Sequence, residues 1–147
     1  MNRSRRAFAL SILFLLLTVS SVSVFGQSDR QTVVNIPFDF VIGDKTMSAG
    51  EYTVQRNWST SNTTWTIKRR DGSGGVRIFL TNPVQANETP QRAKFVFHRY
   101  EDVYFLTAFW TVGENTGREI KQSDRERNLD QRLLAKREEV VLISRVR

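Results

Sequence analysis

The sequence predicts a mainly β protein: an antiparallel sandwich or small barrel of about seven strands, with one helix before the last strand. Three observations support this class. Apolar and polar residues alternate in several short segments, and Gly-, Asp- or Pro-containing turns separate those segments at regular spacing. A helical period occurs once, close to the C-terminal end.

The first 26 residues have the layout of a secretory signal peptide. Arginines among the first six positions form a basic region, an apolar run over residues 7–24 follows, and small residues lead to Gly26. The alternative is an uncleaved membrane anchor, but the apolar run is shorter than the roughly 20 residues that a span needs. We expect cleavage near Gly26, a single β-rich domain over residues 27–147 without a transmembrane span, and a periplasmic or extracellular location.

Composition and charge argue against several classes of function. The chain of 147 residues has no cysteine, so neither disulfides nor a lipid on cysteine can stabilise or anchor it. Three of its 22 basic residues and none of its 15 acidic residues lie in the signal, so the net charge of +7 falls to about +4 in the remainder. Basic residues cluster only at residues 68–70, with Arg77 nearby, and this pattern is typical of a solvated turn. We therefore expect no nucleic-acid partner.

Most of the predicted strands are short and alternating. The first contains Pro37, which cannot donate to a sheet and places that strand at an edge or a bulge. In the fourth, Val76, Ile78 and Leu80 alternate on one apolar face. Residues 82–92 contain two prolines and are predicted to form a loop. The predicted strands cover residues 32–42, 50–56, 64–70, 75–81, 93–100, 103–111 and 138–147.

The fifth and sixth predicted strands carry most of the aromatic residues and are joined at Glu101 and Asp102. Both faces of residues 103–111 are largely apolar, which indicates a central strand covered on both sides. The same pattern also fits the wall of a ligand cavity. In that case the candidate lining residues for an apolar ligand are Phe95, Phe97, Tyr104, Leu106 and Trp110.

The predicted helix begins with a capping box at Ser123 and Glu126, in which each side chain satisfies a free backbone N–H group. It extends over residues 123–137 and is rich in helix-favouring residues. Its apolar stripe is narrow and consists of Leu129, Leu133 and Leu134. Such a helix can cover an edge or a barrel mouth but cannot be central.

Residues for catalysis or metal binding are sparse. His98 is the only histidine, and no G-x-S-x-G motif accompanies it. One histidine without cysteine is a poor zinc ligand set, and no calcium-loop motif occurs. Asp39 and Glu51 could be imagined as a glycosidase pair, but Asp39 lies between two apolar positions of a strand and so points away from the apolar face. We predict no catalytic residue, metal or cofactor.

A resemblance rests on residues 34–54. This segment resembles a signature of small exported bacterial proteins of unknown function, through Val34, Ile36-Pro37-Phe38-Asp39-Phe40 and Gly43, and then Ala49-Gly50-Glu51-Tyr52 and Val54. That signature reads V-P-F-D-F-x-x-G, then L-P-A-G-x-Y-x-V, and this chain has Met47-Ser48 where the pattern has Leu-Pro. The resemblance implies export and a β-rich domain, and it implies no catalytic residues.

Three functional hypotheses follow from the sequence. The first is an exported, non-enzymatic β domain that acts by contact with another protein or with the cell envelope. The second is a small barrel that binds an apolar ligand. The third is a hydrolase or carbohydrate-active protein. The export signal and the scarcity of catalytic motifs favour the first.

Overall fold

The computed structural model describes residues 31–57, 59, 61–133 and 136–144. The predicted signal peptide, Leu134 and the last three residues of the predicted final strand lie outside these ranges. The described chain contains ten strands and one helix. Their bounds are β1 Thr32–Ile36, β2 Phe40–Ile42, β3 Lys45–Met47, β4 Gly50–Arg56, β5 Thr64–Arg69, β6 Val76–Gln85, β7 Lys94–Tyr100, β8 Val103–Trp110, β9 Thr116–Ile120, α1 Asp124–Leu133 and β10 Arg137–Ile143.

The predicted class is confirmed: the protein is mainly β, its sheet is open and not closed, and the helix precedes the last strand. The strands follow the order β1-β4-β5-β6-β9-β8-β2-β3, with β7 on the other side of β8 and β10 beyond β7. Nearly all neighbours are antiparallel, and only β2 runs parallel to β8.

The long strand β6 connects the two layers of the sandwich. Its first half, residues 76–80, pairs with β5, whereas its second half, residues 81–85, pairs with β9. The two layers share one core, which contains Val54 and Ile67 from the first layer and Phe95 and Phe97 from the second. Ring contacts join the layers directly: Trp65 meets Phe109 edge-on at 4.9 Å between ring centres. Such aromatic contacts add to the stabilisation from area burial.

Helix α1 covers the outer face of the second layer. The amide of Glu126 donates to Oγ of Ser123 at 3.2 Å, which forms one arm of the predicted capping box. The carboxylate of Glu126 instead lies 3.0 Å from Nδ1 of His98. Leu129 and Leu133 pack against a small cluster, as predicted, and that cluster consists of Val41, Tyr100 and Phe105. Strand β8 is therefore covered on both faces, as its sequence predicts.

Several boundaries differ from the prediction. The first predicted strand is divided at Pro37 into β1 and β2, because a residue without an N–H group cannot continue the ladder. The predicted loop at residues 82–92 begins with four residues of β6, and the short strands β3 and β9 were not predicted. No helix in the described part of the chain is long and apolar enough to cross a membrane.

Pro83 is tolerated inside β6 because of its position in the ladder. The amide of Thr81 donates to the carbonyl of Thr63, toward β5, and the amide of Ala86 donates to the carbonyl of Asn115, toward β9. Bonding direction alternates along a strand, so an N–H at Pro83 would point away from β9 and beyond the end of β5. The missing donor therefore costs no bond in this ladder.

Candidate functional site

The signature pattern at residues 35–54 forms two nested hairpins that also pair with β5 and β8. Strands β1 and β4 pair as a hairpin, and the small hairpin of β2 and β3 is inserted between them. Oδ1 of Asp39 accepts a hydrogen bond from the amide of Ala49 at 2.8 Å, and the Tyr52 hydroxyl donates to the carbonyl of Ser48 at 2.5 Å. These side chains close the turn that the signature residues surround.

Asp39 and Glu51, which the sequence offered as a glycosidase pair, are not buried together. Asp39 is exposed, and its carboxylate holds the Ala49 amide. Glu51 forms an ion pair with Arg70 at 2.9 Å. Each carboxylate thus has a structural contact near the surface, which supports the interpretation of residues 35–54 as a folding signature.

The five candidate residues for an apolar ligand occupy two kinds of environment. Phe95, Phe97 and Leu106 are fully buried members of the main core. Tyr104 is half-buried and stacks on Phe38 with 3.9 Å between ring centres. Trp110 is also half-buried, and the ammonium of Lys94 lies 5.3 Å from its ring centre.

His98 takes part in a polar network beneath helix α1. Its ring nitrogen Nδ1 lies 3.0 Å from the carboxylate of Glu126, whose side chain is only 5% exposed. The Tyr100 hydroxyl donates to Oδ1 of Asp130 at 2.9 Å, and Arg137 binds the same oxygen at 3.0 Å. These pairs join the helix to β7 and β10, so their evident role is to dock the helix.

Burial and hydrogen bonding perturb the ionisation of this network. Burial raises the pKa of Tyr100 to about 12, and its bond to Asp130 acts in the same direction. The Tyr100 hydroxyl and the nearby Arg137 hold the pKa of Asp130 below its usual range. No group of three or more metal-ligating side chains occurs among the described residues.

A cleft of about 370 Å³ lies beside this network. Its lining consists of charged residues: Arg99, Glu101, Lys136, Arg137 and Glu138. Arg99 pairs with Glu138 at 3.2 Å and Lys136 pairs with Glu101 at 3.6 Å. Because these charges already neutralise one another, the cleft has the character of a solvated surface groove.

The unusual surface of the molecule is the outward face of the first half of β6. Val76, Ile78 and Leu80 are 52%, 64% and 67% exposed. The sequence predicts the alternation of these three residues, but the face that they form is the exposed one. The opposite face of the strand supplies Phe79 and Thr81 to the interior. We call Val76, Ile78 and Leu80 the β6 stripe.

The neighbouring strands have polar outward faces. Thr66 and Lys68 of β5 lie beside Ile78 and Val76. On β4, Thr53 and Gln55 are the next residues across the sheet. Solvent-facing threonine, glutamine and lysine are ordinary for an antiparallel sheet with one wet face, so the apolar side chains are confined to the edge.

The backbone of the β6 stripe forms an open sheet edge. Since Thr81 bonds toward β5, the N–H and C=O groups of Arg77 and Phe79 also point toward β5, and those of the β6 stripe point the other way. Strand β9 pairs only with residues 81–85. Among the described residues, no strand pairs with this side of residues 76–80. Backbone groups without a strand partner in the described part of the chain and exposed apolar side chains therefore belong to the same three residues.

Comparisons with known proteins do not extend this description. No protein-family model matches the sequence, and no curated protein or solved structure matches it significantly. The candidate site therefore rests on the geometry of the chain itself.

Proposed function

We propose that this chain is an exported, non-enzymatic binding domain that contacts a protein partner by strand addition along the β6 stripe. The observation that carries the proposal is that a backbone edge with no strand partner among residues 31–57, 61–133 and 136–144 coincides with three exposed apolar side chains. Natural edge strands are usually blunted by charge, proline or a covering element, because an open edge can template pairing with another chain. An edge that is left open and apolar favours a binding role.

Strand addition supplies both affinity and specificity. The added segment would form main-chain hydrogen bonds with the outward groups of the β6 stripe, and its alternate side chains would contact the stripe itself. Fully burying a Val, Ile or Leu side chain contributes roughly 1.5–3 kcal/mol, and the stripe residues have half or more of their surface left to bury. Several kcal/mol of apolar contact can therefore accompany the backbone bonds.

Charge indicates the chemistry of the partner segment. Lys68 lies opposite Val76 on the face of the stripe, Arg77 follows Val76 on the other face of the strand, and both side chains are exposed. No ion pair involves either of these residues within the part of the chain that the structure describes. We therefore expect an extended segment with alternating apolar residues and an acidic residue near the Val76 end.

The export layout of the first 26 residues supports a partner in the cell envelope or outside the cell. The second apolar edge, at Val141 and Ile143 of β10, is a weaker candidate. These residues are 41% and 45% exposed, and the same strand begins with Arg137, Glu138 and Glu139. Charges of this kind discourage pairing at an edge.

Selection of displayed random peptides tests the proposal. The library is enriched on the wild-type domain and depleted on Ile78→Lys, which places a charge in the centre of the β6 stripe. Val141→Lys is the matched control, because it makes the same change at another exposed apolar residue of an edge strand. We expect alternating, acidic peptides whose affinity falls by about tenfold or more in Ile78→Lys and little in Val141→Lys.

Two results would count against the proposal. Failure to enrich any peptide that distinguishes the wild type from Ile78→Lys would show that the β6 stripe is not a strand-binding edge. Light scattering checks whether the partner is a second copy of this chain. If the wild type is a dimer and Ile78→Lys is a monomer, the β6 stripe binds another copy of the chain and not a segment of a different protein.

A further inference from the structure

A second unusual feature lies at one end of the core, where an arginine points into the interior. Arg118 of β9 pairs with Phe109 of β8 and Pro83 of β6. Two residues further on, on the same face of the strand, Ile120 is buried in the core. Nε of Arg118 is buried and has no hydrogen-bond partner among the described residues.

A tryptophan and a second arginine complete this feature. The guanidinium carbons of Arg56 and Arg118 lie 5.4 and 5.8 Å from the ring centre of Trp65. Trp65 is 3% exposed, and its indole Nε1 likewise lacks a hydrogen-bond partner in the described part of the chain. Arg56 lies opposite Trp65 in the ladder of β4 and β5. We call Arg56, Trp65 and Arg118 the arginine–tryptophan cluster.

The burial of Arg118 beside a second cation is unfavourable unless a further group pairs with its charge. Burial lowers the pKa of Arg118, and the neighbouring charge of Arg56 lowers it further, while Glu114 acts in the opposite direction. No ion pair of the described residues includes Arg118. The stacking on Trp65 provides cation–π attraction but gives Nε–H no acceptor. A buried donor of this kind is normally satisfied by a protein group, a water molecule or a ligand.

We propose that Arg118, supported by the charge of Arg56, binds a small oxyanion at this end of the sandwich, as a free ion or as the terminal group of a larger ligand. Guanidinium groups bind carboxylate and phosphate oxygens through paired N–H donors, so these are the two groups that the site would accept. The buried indole of Trp65 lies against both cations and limits solvent on one side. This site is separate from the β6 stripe and does not depend on strand addition.

Side-chain NMR of the arginine Nε–H groups tests the site. The Arg118 signal is assigned by its loss in Arg118→Lys, which keeps the charge and removes Nε. The folded wild-type domain is titrated with inorganic phosphate and, separately, with acetate, at constant ionic strength maintained with chloride. We expect the Arg118 signal to shift saturably with at least one of the two anions, and the arm that saturates at lower concentration identifies the preferred oxyanion.

Two variants separate a specific site from general charge screening. Calorimetric titration measures the anion affinity of the variants, because Arg118→Gln has no Arg118 signal. Arg118→Gln is expected to weaken the binding of that anion by about tenfold or more, because it removes a charge-assisted donor pair. Arg92→Gln removes an exposed cation elsewhere and is expected to leave the affinity unchanged. The absence of a saturable Arg118 shift with both anions would overturn the proposal, and this readout needs only the wild-type protein. An equal loss in the two glutamine variants would also overturn it.

Discussion

Raising the pH tests the network that docks helix α1, because Tyr100 is held in its neutral form. The Tyr100 side chain is 1% exposed, and its hydroxyl donates to Oδ1 of Asp130 at 2.9 Å. Ionisation would place a phenolate in a buried position beside the carboxylates of Asp130 and Glu126. Burial first, and then the bond to Asp130 and these charges, raise the pKa of Tyr100 to about 12.

The size of the stability loss at high pH follows from the difference between the pKa of Tyr100 in the folded state and its pKa in the unfolded state. An unfolded tyrosine ionises near its ordinary pKa of 10.0 and the folded one near about 12. Between these pH values the unfolded state has lost a proton that the folded state still holds. The contribution of Tyr100 to the free energy of unfolding is therefore fully present below pH 10 and is lost as the pH rises toward 12. The loss is roughly 2–3 kcal/mol over this interval, at 1.36 kcal/mol for each pKa unit.

The variant Tyr100→Phe isolates this contribution. Near pH 8 the wild type should be more stable by about 1 kcal/mol, which is the ordinary value of the lost hydrogen bond. Since phenylalanine does not ionise, the two stability curves should cross near pH 11. Urea unfolding at successive pH values measures the curves, and the difference in tyrosinate absorbance between the proteins measures the titration. Parallel curves up to pH 12, or a Tyr100 titration close to pH 10, would refute the reasoning.

Three further predictions concern other parts of the chain. Asp39→Ala should lower the free energy of unfolding by about 1 kcal/mol, because it removes the acceptor for the Ala49 amide; urea unfolding that shows no loss would contradict this contact. Gly117→Ala should lower the free energy of unfolding by about 1–3 kcal/mol, because an added Cβ overlaps the indole of Trp110. The same loss in a Trp110→Ala background would contradict this explanation. Export with cleavage after Gly26 should leave Gln27 as the first residue, and recovery of an uncut chain from the envelope fraction would argue for an anchor.

The elements that sequence reasoning predicted well are those with a strong local signal. Strand β4 has the predicted bounds, and β7 and β8 agree with theirs within one residue. In each case alternation or dense apolar content is bounded by a clear turn, such as the two residues between β7 and β8. Helix α1 was located by its capping serine, and Arg137, the predicted last residue of the helix, instead begins β10.

The candidate binding features could not be predicted, because they depend on pairing between distant segments. The alternation of Val76, Ile78 and Leu80 would ordinarily indicate a buried face. The ladder with β5 places Phe79 opposite Trp65 on the inner side, so the β6 stripe is turned outward. Strand β9 is short and polar, and only its pairing with β6 and β8 shows that Arg118 faces the interior.

Amide hydrogen exchange tests the open edge of β6 most directly. In the free domain, the amides of Val76, Ile78 and Leu80 should exchange quickly, whereas those of Arg77 and Phe79 should be protected by their bonds to β5. Addition of a selected peptide should slow exchange at the three stripe residues and leave the other two nearly unchanged. Uniform protection of all five amides in the free domain, or a bound peptide that leaves the stripe amides fast, would contradict strand addition at this edge.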